Sequence, residues 1–196
     1  MAEKLAFTRD FVTWQPWVET VDQVGPTEEQ AALVQRVAPN PKNRLYYATL
    51  AHDVPALRER TKLFNEIMAG RGGSPRADRE LAAVVTSRIN GCVFCASVHA
   101  RAHANFTKDA ALVDRLLAEG VEAEQPARER AVIDYSARLT RDPAGMTAAD
   151  LQPLRDAGFT DAAILDINNA AAVFAWANRL MQTIGETAPP EEAVAG

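Results

Sequence analysis

A chain of 196 residues, 47% hydrophobic and 24% charged, has the makeup of a soluble globular protein large enough for one domain with a sizeable core. Its formal net charge of −5, with no block of Lys and Arg, argues against nucleic-acid binding. No run of about 18 apolar residues could span a membrane, and Asp10 interrupts the stretch where a secretory signal needs its apolar part, so a cytoplasmic location is the default expectation.

Alanine is abundant, β-branched runs are scarce and no strand-like alternation persists, so the pattern predicts an all-α chain broken at Pro and Gly. Pro26 with "TEEQAALVQRV" opens one helix, and "RLYYATLA" is a short second piece. "VPALRERTKLFNEIMAG" spaces Leu57, Leu63, Phe64, Ile67 and Met68 as a helix does and stops at Gly70. Ser74 is placed to cap the next helix, "RADRELAAVVTSRI", with Pro75 in its first position. That helix ends at Asn90-Gly91, a dipeptide suited to positive φ. A further helix runs from about Cys92 to Asn105, then "TKDAALVDRLLAEG", with Thr107 as cap and Gly120 as stop. Pro126 starts "ARERAVIDYSARLTRD", and Thr147 with Asp150 resembles a capping box. The last and longest helix, "TDAAILDINNAAAVFAWANRLMQTIG", is nearly free of charge between Asp166 and Arg179, which predicts burial on most sides, in the core or against another subunit. The expected organisation is an N-terminal arm and first helix over 1–39, one helical domain over 40–185 and a disordered tail over 186–196. Trp14 and Trp17 lie in that arm, which is expected to pack.

"NGCVFCASVHARAH", residues 90–103, holds both cysteines and two of the three histidines. At 100° per residue, Cys92, Cys95, His99 and His103 fall on one helix face. A zinc site has the right ligand types, but the helix rises about 16 Å from Cys92 to His103, whereas donors around one ion lie about 4 Å apart. His52 is the one nitrogen ligand left elsewhere. Each residue alone is ordinary as a buried thiol or a hydrogen-bonded histidine. As a set they also fit a dithiol couple. Cys-x-x-Cys at a helix start sits at the positive end of the dipole, which favours thiolate, and His99 is one turn from Cys95. His103, another turn on, is placed to support or hydrogen-bond His99.

Glu80 precedes Cys92 by eleven intervening residues, two separate Cys92 from Cys95, and three separate Cys95 from His99. With its flanks this spacing resembles the alkylhydroperoxidase D branch of the carboxymuconolactone decarboxylase superfamily over roughly residues 40–185, closest to its peroxidase-related members. The resemblance implies an all-helical fold, a homo-oligomer, and a cysteine-based peroxidase or disulfide reductase with neither haem nor flavin. It implies Cys95 as the thiolate that attacks peroxide, Cys92 as its resolving partner in a redox disulfide, and Glu80 and His99 as the proton relay. It also implies a hydroperoxide substrate and a dithiol or lipoyl-type reductant. Glu80 taken alone, in the charged stretch "RADRE", reads as a surface residue. Phe94 stands where the alkylhydroperoxidase carries a histidine, which removes one relay member and makes the rim of the dithiol more apolar. Two other readings are a decarboxylase-like acid/base enzyme of the same superfamily and a redox-sensing or scaffold protein without turnover.

Overall fold

The computed structural model describes residues 5–39 and 44–189. Among them the elements run, in chain order, β1 (Thr13–Pro16), α1 (Val21–Val24), α2 (Glu28–Val37), α3 (Arg44–Leu50), α4 (Val54–Ala69), α5 (Arg76–Asn90), α6 (Val93–Thr107), α7 (Ala111–Glu119), α8 (Ala127–Arg141), α9 (Gln152–Asp156), α10 (Asp161–Thr183) and β2 (Gly185–Ala188). Two 3₁₀ turns, Pro143–Gly145 and Ala148–Leu151, lead from α8 into α9. The fold is all-α apart from one two-stranded ribbon.

Local chemistry sets most of these boundaries. α2 starts at a capping box, in which Thr27 Oγ1 accepts from the Gln30 amide and Gln30 Oε1 accepts from the Thr27 amide. Asp53 caps α4, and Thr160 caps α10. Two expected caps move. Pro75, not Ser74, is the N-cap of α5; the Ser74 amide donates to Asp166 while its hydroxyl is buried without a partner. Thr107 does not open α7 but closes α6, and Asp109 instead accepts from the Ala111 amide at the start of α7. Lys108, at φ 61°, makes the turn between the two helices.

α5 is the central helix. Every residue from Asp78 to Ser87 is buried, so it is enclosed rather than amphipathic, and it packs on α4, α6, α7, α8 and α10. Each of its Leu and Val side chains gains about 1.5–3 kcal/mol from burial. Buried Asp78 is compensated by a two-pronged pair with Arg128 of α8, both contacts 2.8 Å. A smaller core of Val21, Leu33, Val34, Ala48, Ala51 and Leu57 joins α1 to α4. Leu63, one of the residues at helical spacing in α4, is 57% exposed. α10 buries Ile164, Ile167, Val173, Phe174 and Met181, while Leu165 and Trp176 lie on its outer face.

Part of the segment expected to be disordered, 186–188, is ordered. Residues 185–188 form a strand rather than a disordered segment, antiparallel to β1, with Trp14 opposite Thr187 and Pro16 opposite Gly185. Hydrogen bonding of the Trp14 indole to the Met181 carbonyl, 2.8 Å, and burial of its ring hold the arm down. Gly185 is required there, since a Cβ would stand 2.2 Å from the Trp14 ring. Residues 190–196 lie outside the described residues. The ribbon was invisible to a reading based on alternation because each strand has only four residues and β1 ends in proline.

Candidate active site

α5 and α6 form an antiparallel helical hairpin whose turn is set by Gly91, in the left-handed region at φ 80°. The Cys92 amide donates back to the Ser87 carbonyl, 2.9 Å, closing the end of α5. Cys92 is then the N-cap of α6, and Cys95 lies in its first turn. One of the free helix-start amides, that of Phe94, donates to Thr187 Oγ1 of β2, 3.2 Å, so the ribbon ties down the base of the dithiol.

Cys92 and Cys95 are both buried, and both are free thiols. They titrate as one unit. The Cys92 thiol is held below the usual thiol range, first by the S–H of Cys95 that donates to it, with help from Asn178 of α10, against an upward push from burial. The same contact holds Cys95 well above that range, and burial adds to it. Ease of ionisation therefore points to Cys92, whereas access points to Cys95: Cys95 lines a cleft of about 160 Å³ and Cys92 does not.

His99 lines the same cleft one turn along α6. Its Nδ1 faces Glu80 Oε2 of α5 at 2.5 Å, so the carboxylate accepts the Nδ1 proton and leaves Nε2 as the nitrogen with a free lone pair. Glu80 is fully buried, not on the surface as its charged context alone implied. Its other oxygen accepts from Arg76 Nε, 2.5 Å, one turn earlier on the same helix. Burial pushes the Glu80 carboxyl upward, but the charges and hydrogen bonds of His99 and Arg76 outweigh it and hold it below the usual carboxylate range. An edge-on contact with Phe174, centroids 4.2 Å apart, fixes the other side of the imidazole.

His103 does not take the expected place. It is buried beyond His99 with no hydrogen bond to it, and its Nδ1 has no partner. Burial lowers its pKa, although Asp78 and Glu80 pull the other way. Among the described residues no group of three or more His, Cys, Asp and Glu is arranged to hold a metal ion.

Two parts of the site escaped the sequence reading. Asn178, fully buried, reaches the thiols from α10 and is oriented by Asn90 and by Ser87, which lies at 3.1 Å. The far wall of the cleft comes from α3 and α4, with Tyr46, Tyr47, Arg60 and Phe64. Neither has a sequence signal, because their neighbours at the site lie tens of residues away. Phe94 and Val98 form an apolar rim. A larger groove of about 430 Å³ between α2 and α4 shares Tyr47 with the cleft but is lined by neither cysteine nor histidine.

These elements define a helical domain built on a dithiol hairpin with a buried carboxylate–imidazole pair. The sequence profile of the Carboxymuconolactone decarboxylase family matches residues 55–138. The crystal structure of an uncharacterized peroxidase-related protein from Silicibacter sp. TM1040 shares 32% identity over 71% of this chain and 73% of that one, with a TM-score of 0.65. That of an uncharacterized peroxidase-related protein from Ralstonia eutropha JMP134, an alkylhydroperoxidase AhpD core, shares 28% over 81% and 88%, with a TM-score of 0.70. The debrominase Bmp8, at 16% identity over 88% and 89% and a TM-score of 0.63, shares the fold. No curated protein matches the chain. The chain belongs to the carboxymuconolactone decarboxylase family, in its alkylhydroperoxidase D-like form.

Proposed function

We propose that the protein is a thiol-dependent peroxidase in which Cys95 attacks a hydroperoxide and Cys92 resolves the product. The observation that carries this reading is the sharing of one cleft by Cys95 and His99, with Glu80 locked behind the imidazole. Proton transfer along the S–H contact from Cys95 to Cys92 delivers the thiolate to the sulfur that faces the cleft. That thiolate attacks the outer oxygen of the hydroperoxide and breaks the O–O bond. Cys95 becomes a sulfenic acid, and the departing alkoxide takes a proton by way of His99 to leave as an alcohol. The Cys92 thiol then condenses with the sulfenic acid, releasing water and forming the disulfide. A dithiol reductant, of the lipoyl type or another, restores both thiols by exchange and is itself oxidised to a disulfide.

The peroxidase-related Silicibacter and Ralstonia relatives support this reading. A homo-oligomer is part of it; the outward Leu165 and Trp176 of α10 are apolar groups that a second copy would cover, and sedentation of the purified chain by analytical ultracentrifugation tests this. The decisive experiment follows peroxide consumption with dihydrolipoamide. Cys95→Ser should not react, whereas Cys92→Ser should react once and stop at sulfenic acid. Equal consumption by the wild type and both variants would sink the assignment.

A further inference from the structure

We infer that the wall of the cleft opposite His99 is an anion-binding subsite, and that the substrate joins a small apolar body to a negatively charged oxygen group held by Arg60. This rests on the reading of Cys95 as the attacking thiolate and names the class of molecule it attacks.

Arg60 is half-buried in the lining of the cleft. Its guanidinium lies over Phe64, 4.3 Å from the ring centroid, and within 5.7 Å of the centroids of Tyr46 and Tyr47. Aromatic faces hold a cation but offer its N–H groups no lone pairs. Among the described residues Arg60 has no carboxylate partner. Its neighbours on α4 do: Arg58 pairs with Glu29 at 2.6 Å and Lys62 with Glu59 at 2.7 Å. Among the described residues the one hydrogen bond of Arg60 is a long one, 3.4 Å, from Nη1 to the Tyr47 hydroxyl, and its Nε is buried without a partner there. The Tyr46 hydroxyl, on the same wall, is also buried and partnerless.

The balance of groups is one-sided. Arg60 supplies only donors, Tyr46 stays protonated and can donate, and Tyr47 is left with its own O–H once it accepts from Arg60. Nothing on this wall is charged to accept from them. A half-buried cation without a counter-charge has lost part of its hydration uncompensated, and a planar guanidinium is matched by the two oxygens of a carboxylate. The remainder of the lining (Phe64, Phe94, Val98, Phe174, Met181) is apolar, and about 160 Å³ is the size of a cavity that takes a benzene ring. A carboxylate on a benzene-sized body, with the reactive group directed to Cys95, satisfies both parts of the cleft.

The first test needs no turnover. In a Cys92→Ser background Cys95 is the sole thiol, and its alkylation by iodoacetate and iodoacetamide compares an anion with a neutral reagent of nearly equal size. Relative to a free small thiol, the ratio of iodoacetate to iodoacetamide rates should rise about tenfold or more, the scale of one charge-assisted hydrogen bond. Arg60→Gln should return the ratio to that of the free thiol, and Arg60→Lys, which keeps the charge but not the fork, should fall between. Any effect of Arg60 on the thiolate itself cancels in the ratio. A ratio equal to the free thiol's in the Cys92→Ser protein, or one unchanged in both Arg60 variants, overturns the inference. The second test compares oxidation of the wild type by cumene hydroperoxide and by its 4-carboxylate. Preference for the carboxylate, reduced in Arg60→Lys and lost in Arg60→Gln, is the expected result. If neither peroxide oxidises Cys95 yet the alkylation ratio depends on Arg60, the peroxidase reading fails and the anion subsite stands. If both peroxides react equally and the ratio is that of a free thiol, the subsite fails and the peroxidase reading stands.

Discussion

The two walls of the cleft are built on opposite terms. On the α5–α6 wall Glu80 is fully buried with both oxygens engaged, and His99 is fixed between Glu80 and Phe174. On the α3–α4 wall the Tyr46 hydroxyl and Arg60 Nε are buried with nothing to bind. Burying a polar group unpaired costs about 1–3 kcal/mol, so a satisfied wall is rigid while an unsatisfied one holds binding energy in reserve for a ligand. On the proposed reading the contrast is a division of labour, with one wall preset for chemistry and the other completed by what enters.

The largest test of that division is Cys95→Ser, which should reduce peroxide reaction to background, read as loss of sulfenic acid trapping. Next is Glu80→Gln, which keeps the shape but removes the charge that orients His99. Its peroxide rate should fall about a hundredfold, as for loss of a positioned proton relay, with substrate affinity nearly unchanged. A fall in affinity with an intact rate would show that this wall also does binding and would erase the contrast.

Asn178→Ala should act through ionisation. Because Asn178 helps to hold the first proton of the pair below the usual thiol range, its loss should move the pH profile of thiol alkylation upward, towards the ordinary value of about 8.5. Alkylation at neutral pH then slows by up to about tenfold for each unit moved. Thr187→Val removes the acceptor for the Phe94 amide and should cost about 1 kcal/mol in thermal or denaturant unfolding.

The smallest effect is the acid side of the stability curve. His103, whose folded pKa is depressed by burial, contributes stability that is complete above its unfolded pKa of about 6.5 and is lost as pH falls through the folded value. Glu80, also depressed in the fold, repeats this lower down, with its contribution complete above about 4.3 and lost as pH falls through its folded value. Denaturant midpoints should therefore decline in two stages on acidification, the first absent in His103→Asn. A flat profile from pH 7 to pH 5 would show that His103 takes up its proton equally in the folded and unfolded chain.

The contrast between walls also governs what could be read from the chain. Residues 80 to 103 are legible because a hairpin of adjacent helices turns sequence spacing directly into geometry: Gly91 sets the turn, and the carboxylate of Glu80 meets His99 nineteen positions later. Burial of Glu80 was not legible from its charged context, since the compensating His99 and Arg76 lie on an enclosed face that only packing creates. Tyr46, Arg60 and Asn178 carry no local mark. They reach the site through tertiary packing, Asn178 from 88 positions beyond its partner Asn90. The misread caps at Ser74 and Thr107 have a simpler cause: each residue type suited a cap, but the helix boundary fell elsewhere.

The β1–β2 ribbon has a kinetic meaning. It joins residues 175 positions apart, as between Thr13 and Ala188, whereas the α5–α6 hairpin needs only contacts between neighbouring helices. Closing so long a loop is entropically costly before other contacts form, so the hairpin assembles early and the ribbon late. The thiols therefore sit on a formed helix before Thr187 reaches the amide of Phe94. The ribbon is then the last contact made to the helix start that carries the dithiol.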